Sequence, residues 1–212
     1  MNDSETTNHF GGLLPIEARL KKQVEFLMEI DKMKNVLRQT VLTDKSRQEN
    51  DAEHSWHFAL MAAILYEYAD NAEVDLLRVL KMALTHDLVE IYAGDTFAFD
   101  EIGYADKFER EARAADRLFG MLPPDQGAEL KELWSEFDKM ETADARYAAA
   151  IDRLQPLLIN YVTEGHTWRI RGGVTSDKVY KRVDVIKSAA PRLWGFIENV
   201  IEDSIKKGYL KR

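Results

Sequence analysis

Residues 84–95 read Leu-Thr-His-Asp-Leu-Val-Glu-Ile-Tyr-Ala-Gly-Asp, a segment that combines a helical apolar pattern with one histidine and three carboxylates. Apolar residues recur at helical spacing here and in the preceding turn, namely at Leu80, Ala83, Leu84, Leu88 and Ile91, which predicts a buried helix face. His86 and Glu90 are neighbours one turn apart on such a helix. A buried ionisable group costs several kcal/mol unless it is paired or bound to a metal. A bound cation is therefore the simplest explanation of this segment.

The composition favours one soluble domain. The chain has 212 residues, of which 45% are hydrophobic, and it has no apolar run of the roughly 20 residues that a membrane span requires. Its acidic, polar start is unlike a signal peptide, so we expect a cytoplasmic protein without a membrane partner. The formal net charge of −8 argues against binding a nucleic-acid polymer. A small anionic ligand stays compatible with it.

The chain contains no cysteine. Disulfides, cysteine-ligated zinc, iron–sulfur clusters and cysteine nucleophiles are thereby excluded. Any metal must bind to histidine nitrogen and carboxylate oxygen, a ligand set that suits Mn, Co, Fe, Ni, Zn or Mg.

The apolar pattern predicts an all-α, single-domain protein without strands. We expect residues 1–14 to form a flexible tail and residues 15–212 to form the domain. Residues 39–50, 96–103 and 165–176 are predicted to be loops, and Pro156 is predicted to kink or break a late helix. The predicted helices cover residues 15–37, 51–70, 75–94, 105–119, 125–139, 143–161 and, in one or two pieces around Pro191, 177–207.

Four positions are candidate metal ligands: His54, His86, Asp87 and Asp152. Asp152 lies in an alanine-rich segment that is expected to be packed, where an acid is uncommon. Its alternatives are a salt bridge to Arg153 or to another arginine, or a simple exposed position.

The ordered set of Asn50-Asp51-Ala52-Glu53-His54-Ser55-Trp56, Thr85-His86-Asp87-Leu88-Val89-Glu90, Gly94-Asp95 and Ile151-Asp152 resembles the HD-domain metal-dependent phosphohydrolases. The match is closest to the 5′-deoxynucleotidase-like branch, and it covers roughly residues 36–164. The resemblance implies an HD-domain helical bundle whose metal site lies between central helices. It also implies that His54, His86, Asp87 and Asp152 hold one divalent cation.

The activity implied by this resemblance is hydrolysis of a phosphate ester by a metal-activated water that attacks phosphorus. Glu90 would orient or deprotonate the water, and Asp95 would assist at the leaving group or position the nucleophile. Arg38 and Arg47 would bind the phosphate, since the guanidinium fork matches phosphate oxygens. Where relatives often carry an aromatic residue near the sugar, this chain has Gln39-Thr40-Val41. A preference for deoxyribose over ribose is therefore left open.

Three functional hypotheses follow from these residues. The first is a phosphomonoesterase that acts on nucleoside 5′-monophosphates. The second is a nucleoside triphosphate or alarmone hydrolase, which should need more basic residues than Arg38 and Arg47. The third is a non-catalytic, metal-stabilised binding or regulatory module, which would not need Glu90 and Asp95.

Other aromatic residues and histidines have weaker implications. Phe97 and Phe99 could border a nucleobase or could pack under a loop, and His57 is predicted to be a helix-surface or core-edge residue. The later helices carry surplus apolar residues that would suit a homodimer, namely Trp134, Phe137, Trp194 and Phe196.

Overall fold

The structure, a computed structural model, describes residues 17–70 and 73–212. The predicted tail and the predicted start of the first helix at Pro15 lie outside the described residues, so the division into tail and domain stays a prediction. The described chain is almost entirely helical, which confirms the all-α prediction. Its helices are α1 Ala18–Glu29, α2 Asp51–Ile64, α3 Leu76–Thr85, α4 Glu90–Ala93, α5 Lys107–Phe119, α6 Pro124–Lys139, α7 Ala143–Val162, α8 His166–Arg171, α9 Ser176–Val183, α10 Val185–Ala189 and α11 Trp194–Lys206, with 3-10 turns at Ile30–Asn35, Tyr66–Tyr68 and Pro191–Leu193.

Helix α7 is the centre of the bundle and contacts α2, α3, α6 and α10. Its buried face is rich in alanine, whose small side chain allows neighbouring helices to approach closely. The larger side chains of Tyr147, Ile151 and Leu154 fill the space between these helices. Pro156 lies inside α7 without ending it, so of the two predicted effects, a kink or a break, the break does not occur. The fold thus presents Asp152 from a rigid, buried helix.

The segment of residues 84–95 is not one continuous helix, contrary to the prediction. Helix α3 ends at Thr85, and the next backbone bonds join Leu88 N to Thr85 O at 3.2 Å and Glu90 N to Asp87 O at 3.0 Å. These bonds span three residues rather than four, so the chain turns more tightly there. The short helix α4 then ends at Gly94, whose φ of +77° is readily adopted by glycine.

The prediction of no strands and of a loop over residues 39–50 is also wrong. Strands β1 Leu37–Val41 and β2 Gln48–Asn50 pair in antiparallel fashion. The Gln48 side chain donates to Arg38 O at 2.6 Å and adds to the pairing. The two strands show no alternation of apolar and polar residues, which is the pattern that predicts a strand with one buried face. Backbone pairing holds them together instead. Helix α8 likewise lies within the predicted loop over residues 165–176.

The outer face of α2 carries an apolar stripe that is exposed rather than packed in the core. Trp56, Leu60 and Ile64 are 64%, 45% and 65% exposed. The residues of α2 that enter the core are instead Phe58 and Ala62, which are fully buried. Within residues 17–70 and 73–212, no helix combines the length and the apolar character that crossing a bilayer demands.

Candidate metal centre

Helix α2 begins with a capping box, in which the Glu53 side chain takes part while the side chain of Asp51 is buried. Glu53 N donates to Asn50 Oδ1 at 3.0 Å, and Asn50 N donates to Glu53 Oε2 at 3.2 Å. Asn50 is therefore the N-cap of this helix. Asp51 is instead completely buried. One turn later, His54 is also fully buried and points at α7.

The four predicted metal ligands come together between α2, the end of α3 and α7. His54 Nε2 lies 3.0 Å from Asp152 Oδ1 and 3.9 Å from Asp87 Oδ2. His86 Nε2 lies 3.1 Å from Asp87 Oδ2 and 3.8 Å from Asp152 Oδ1. Two imidazole nitrogens and two carboxylate oxygens thus converge on one small volume, and Asp152 is neither exposed nor a simple ion-pair partner of Arg153.

The hydrogen bonding of His86 shows that this group of side chains fits a divalent cation. His86 Nδ1 is 3.0 Å from Ala83 O, and a carbonyl oxygen only accepts, so Nδ1 carries the proton. In the neutral ring, Nε2 then presents a lone pair toward the carboxylates. Nε2 is buried and forms no hydrogen bond with any described residue. Acceptors that face one another in this way require a cation or a proton between them, and a carbonyl behind a histidine ligand is a common metal-site arrangement.

The ionisation of the cluster also suits a cation. Burial, followed by the charge of Arg38, lowers the pKa of His54 to about 4, so its ring is neutral at pH 7. Burial opposes ionisation of Asp87 and Asp152, but the charge of His86 on Asp87 and the hydrogen bond between His54 and Asp152 outweigh it and hold both pKa values below the usual range. Burial likewise opposes the charge of His86, but Asp87 outweighs it and raises the pKa of His86, whose proton a bound metal would displace. Neutral imidazole and ionised carboxylate are the forms that bind metal.

A second acidic cluster adjoins the first. Asp51, Glu90 and Asp95 each place one oxygen within 4.8 Å of the others. Burial raises the pKa of all three; the nearby Asp87 charge raises it further, to about 8 for Asp51 and well above the ordinary value for Glu90. Carboxyls that hold a proton near neutral pH are suited to proton transfer. Asp51 was not identified as a site residue from the sequence, because its place at a helix start equally suits a cap.

Arg38 on β1 links the two clusters. Its Nη1 lies 2.7 Å from Asp87 Oδ2 and 3.5 Å from Asp51 Oδ1, and its Nε lies 3.6 Å from Glu49 Oε2. Burial opposes its charge, yet Asp87 and Asp95 outweigh burial and raise its pKa. The β-hairpin therefore places the positively charged guanidinium of Arg38 in the site.

Arg47, the other predicted phosphate-binding residue, is placed elsewhere. Its Nη1 and Nη2 donate to the two carboxylate oxygens of Glu53 at 2.8 and 2.6 Å, and its side chain is 52% exposed. It is not among the described residues that line the cavity. The structure therefore brings Arg38 to the site and leaves Arg47 in a surface ion pair.

The two clusters open into one cavity of about 410 Å³, a size typical of small-molecule sites. Phe97 and Phe99 form part of its apolar wall, with ring centroids 5.4 Å apart. Both also pack against the hydrophobic core, which confirms the packing interpretation, and their contact with a nucleobase stays a prediction. His57 lies behind the site, 3.2 Å from the Gln155 side chain, as expected for a core-edge histidine.

The cavity carries three further cations that the sequence did not identify: Lys107, Arg153 and Arg182. Lys107 forms an ion pair with the buried Glu111, and burial followed by the charge of Arg182 lowers the pKa of Arg153. Residues from α5, α7 and α9 meet here only through tertiary packing, so their spacing in the sequence contains no signal for this group.

The family can now be assigned. The HD-domain family matches residues 30–194, which is most of the chain. The chain therefore belongs to the HD-domain family, as the resemblance predicted. The histidine and aspartate cluster described above, together with this membership, indicates a site for a divalent metal.

The chain is also similar to individual proteins of this family. The human protein 5′-deoxynucleotidase HDDC2 is 29% identical over 136 residues, which cover 64% of this chain and 65% of that protein. The 5′-deoxynucleotidase HDDC2 of Bos taurus is 29% identical over 64% of each chain. This chain thus spans a little under two thirds of the length of these relatives.

Solved structures show the same fold. A crystal structure described as a predicted metal-dependent phosphohydrolase, from Magnetospirillum magnetotacticum MS-1, is 55% identical with a TM-score of 0.87, covering 92% of this chain and 100% of that one. The PH0347 protein of Pyrococcus horikoshii OT3 is 21% identical with a TM-score of 0.60, covering 87% and 99%. At that identity, the second likeness concerns the fold alone.

Proposed function

We propose that this protein is a metal-dependent phosphomonoesterase that hydrolyses nucleoside 5′-monophosphates. The observation that carries this proposal is the convergence of a metal-ligand set, a proton-holding acidic cluster and Arg38 in one nucleotide-sized cavity. The names of the relatives, 5′-deoxynucleotidase and metal-dependent phosphohydrolase, support it. His54, His86, Asp87 and Asp152 would hold the cation.

The chemistry divides between the cation and the chain. A bound divalent cation activates water for attack on phosphorus and polarises a phosphoryl oxygen. Glu90 is the group that would take the proton of the attacking water. Its carboxyl is buried beside the ligand set, where a bound cation would favour the ionised form, and its raised pKa makes that carboxylate a stronger base. Asp95 positions the nucleophile or protonates the leaving oxygen. Arg38 lies beside the ligand set, since its Nη1 contacts the Asp87 carboxylate, and there it would donate a hydrogen bond to a phosphate oxygen.

The sugar and base would occupy the rest of the cavity. Phe97 and Phe99 offer apolar surface to a base. Gln39 and Thr40 line the cavity beside Arg38, where relatives often carry an aromatic residue, so the assay must compare ribose with deoxyribose.

Phosphate release from a panel of ribo- and deoxyribonucleoside monophosphates tests the proposal. We expect release with Mn²⁺ or Co²⁺ and none with EDTA, and measurement with each candidate metal (Mn, Co, Fe, Ni, Zn or Mg) identifies the preferred one. No release by protein shown to be metal-loaded would contradict the proposal. Release of pyrophosphate or triphosphate instead would favour the triphosphate or alarmone alternative.

The Glu90→Ala variant separates an enzyme from a binding module. We expect it to retain the cation and to lose phosphatase activity by 100-fold or more, roughly the contribution of a general base. If activity stays unchanged while metal is retained, Glu90 is not the base. If neither protein turns over any nucleotide, the non-catalytic alternative gains.

We also propose that the chain forms a homodimer, in the cytoplasm. Of the residues predicted to support a dimer, Trp134 is buried in the core and Phe137 packs 4.8 Å from the His86 ring, so neither is available. The exposed stripe of Trp56, Leu60 and Ile64 on α2 is the better candidate surface. Sedimentation should show a dimer for the natural chain and a monomer for Leu60→Asp; a monomeric natural chain would contradict the proposal.

A further inference from the structure

Arg153 is a cation of the cavity that has no carboxylate partner among residues 17–70 and 73–212. It lines the cavity next to the metal-ligand set, and its Nη1 donates to Arg182 O at 3.2 Å. Its Nη2 faces the Met140 sulfur at 3.0 Å, a weak acceptor, and its buried Nε has no acceptor in the described parts of the chain. Arg153 is partly buried, and removing a charge from water without a counter-ion is costly, so a bound anion would relieve this cost.

Arg38, at the other side of the ligand set, is in the opposite situation. Three carboxylates lie within 4 Å of its guanidinium, those of Asp87, Asp51 and Glu49. Lys107 is likewise neutralised by Glu111. Unbalanced positive charge in this cavity therefore lies on the α7 and α9 side.

Arg182 extends this positive charge toward the metal-ligand set. Its Nη2 is 3.9 Å from Asp152 Oδ2, whereas no described carboxylate oxygen comes as close as 4.0 Å to the Arg153 guanidinium. Arg182 thus lies next to the ligand set, and Arg153 lies beside Arg182, to whose carbonyl oxygen it donates. The two guanidiniums give the cavity a second anion-binding end that is separate from the group beside Arg38.

We propose that Arg153 and Arg182 form a second phosphate-binding subsite, so that this protein takes nucleotides with a second phosphate group besides the one held at the metal-ligand set. This inference rests on the proposed function for the first phosphate. A phosphate dianion supplies the several acceptors that two guanidinium forks require. The second phosphate can be on the sugar, as in a nucleoside 3′,5′-bisphosphate, or in the 5′ chain, as in a nucleoside diphosphate.

Calorimetric binding of three ligands tests the subsite: adenosine 5′-monophosphate, adenosine 3′,5′-bisphosphate and adenosine 5′-diphosphate, with Mn²⁺ present. A Glu90→Gln background suppresses turnover during the titration. We expect one doubly phosphorylated ligand to bind at least about tenfold more tightly than the monophosphate, a factor that corresponds to ~1.4 kcal/mol. Tighter binding of the 3′,5′-bisphosphate would place the second phosphate on the sugar, and tighter binding of the 5′-diphosphate would place it in the 5′ chain.

Arg153→Met and Arg182→Met should each reduce this preference to about twofold or less. Arg146→Met is the matched control, since Arg146 is on the same helix, contacts Glu141 O and does not line the cavity; it should keep the full preference. Equal binding of all three ligands by the unsubstituted subsite overturns the proposal, as does a preference that survives both substitutions. If one variant does not fold, the other variant and the three-ligand comparison still decide. Because binding is measured without turnover, a failed phosphatase assay contradicts only the proposed function.

Discussion

Replacing Phe58 with alanine tests whether the core holds the two metal-site histidines in place. Phe58 is fully buried on α2. Its ring meets the His86 ring edge-on with centroids 5.3 Å apart and lies 6.2 Å from the His54 ring. Its ring centroid also lies 6.3 Å from that of Phe137, which itself packs 4.8 Å from the His86 ring. The side chain is therefore a shared support beneath both imidazoles.

The loss should be large, because the site cannot close easily around the missing ring. A buried phenylalanine cut to alanine costs about 3–5 kcal/mol, as transfer and cavity contributions add, out of the roughly 5–15 kcal/mol that stabilises a domain. Phe58→Leu keeps most of the apolar volume and should cost about 1 kcal/mol. With both imidazoles less constrained, the affinity for Mn²⁺ should fall about tenfold or more, as it does when outer partners of metal ligands are removed.

Urea unfolding of EDTA-treated protein measures the loss of unfolding free energy without any contribution from bound metal. Calorimetry with Mn²⁺ measures the loss of metal affinity. Phe196→Ala is the control, since Phe196 is 53% exposed and should change stability by less than about 0.5 kcal/mol. A loss below about 1 kcal/mol for Phe58→Ala, with unchanged Mn²⁺ affinity, would refute the idea that this ring supports the site.

Three smaller changes probe particular contacts. In cation-free protein, burial and Asp87 raise the pKa of Asp51 from 3.8 to about 8, so the folded chain holds this proton more tightly than the unfolded chain, and the unfolding free energy falls as pH rises across that window. Asp51→Asn should therefore stabilise the EDTA-treated protein more at pH 8 than at pH 4, by thermal melting; an equal effect at both would count against the raised pKa. Asn50→Ala removes the acceptor of Glu53 N and should cost about 1 kcal/mol in urea unfolding, whereas no change would mean that the cap is dispensable. Tyr147→Phe removes the bond from the buried Tyr147 hydroxyl to Ala62 O at 2.9 Å and should lower stability by about 1 kcal/mol; a more stable variant would contradict this.

The helices and the metal-ligand set were predictable for different reasons. Helical periodicity is local, so α5, α6 and α7 follow from the positions of apolar residues and prolines. The ligand set was recognised through ordered motifs rather than through spacing, since His54 and Asp152 are separated by 98 positions. The errors arose where local rules gave no answer, as in the polar hairpin of β1 and β2 and in the tight turn after Thr85.

The sequence by itself determined a mainly helical chain, the absence of cysteine chemistry and a set of histidines and carboxylates suited to a hard or borderline cation. Only the tertiary structure decided which charges share the cavity. It pairs Arg47 with Glu53 at the surface, buries Asp51 beside Glu90 and gives Arg153 no carboxylate partner within the part of the chain that the structure describes. The physical reason is that charge pairing and burial depend on which side chains meet across helices, and helical periodicity records only which face of each helix is apolar.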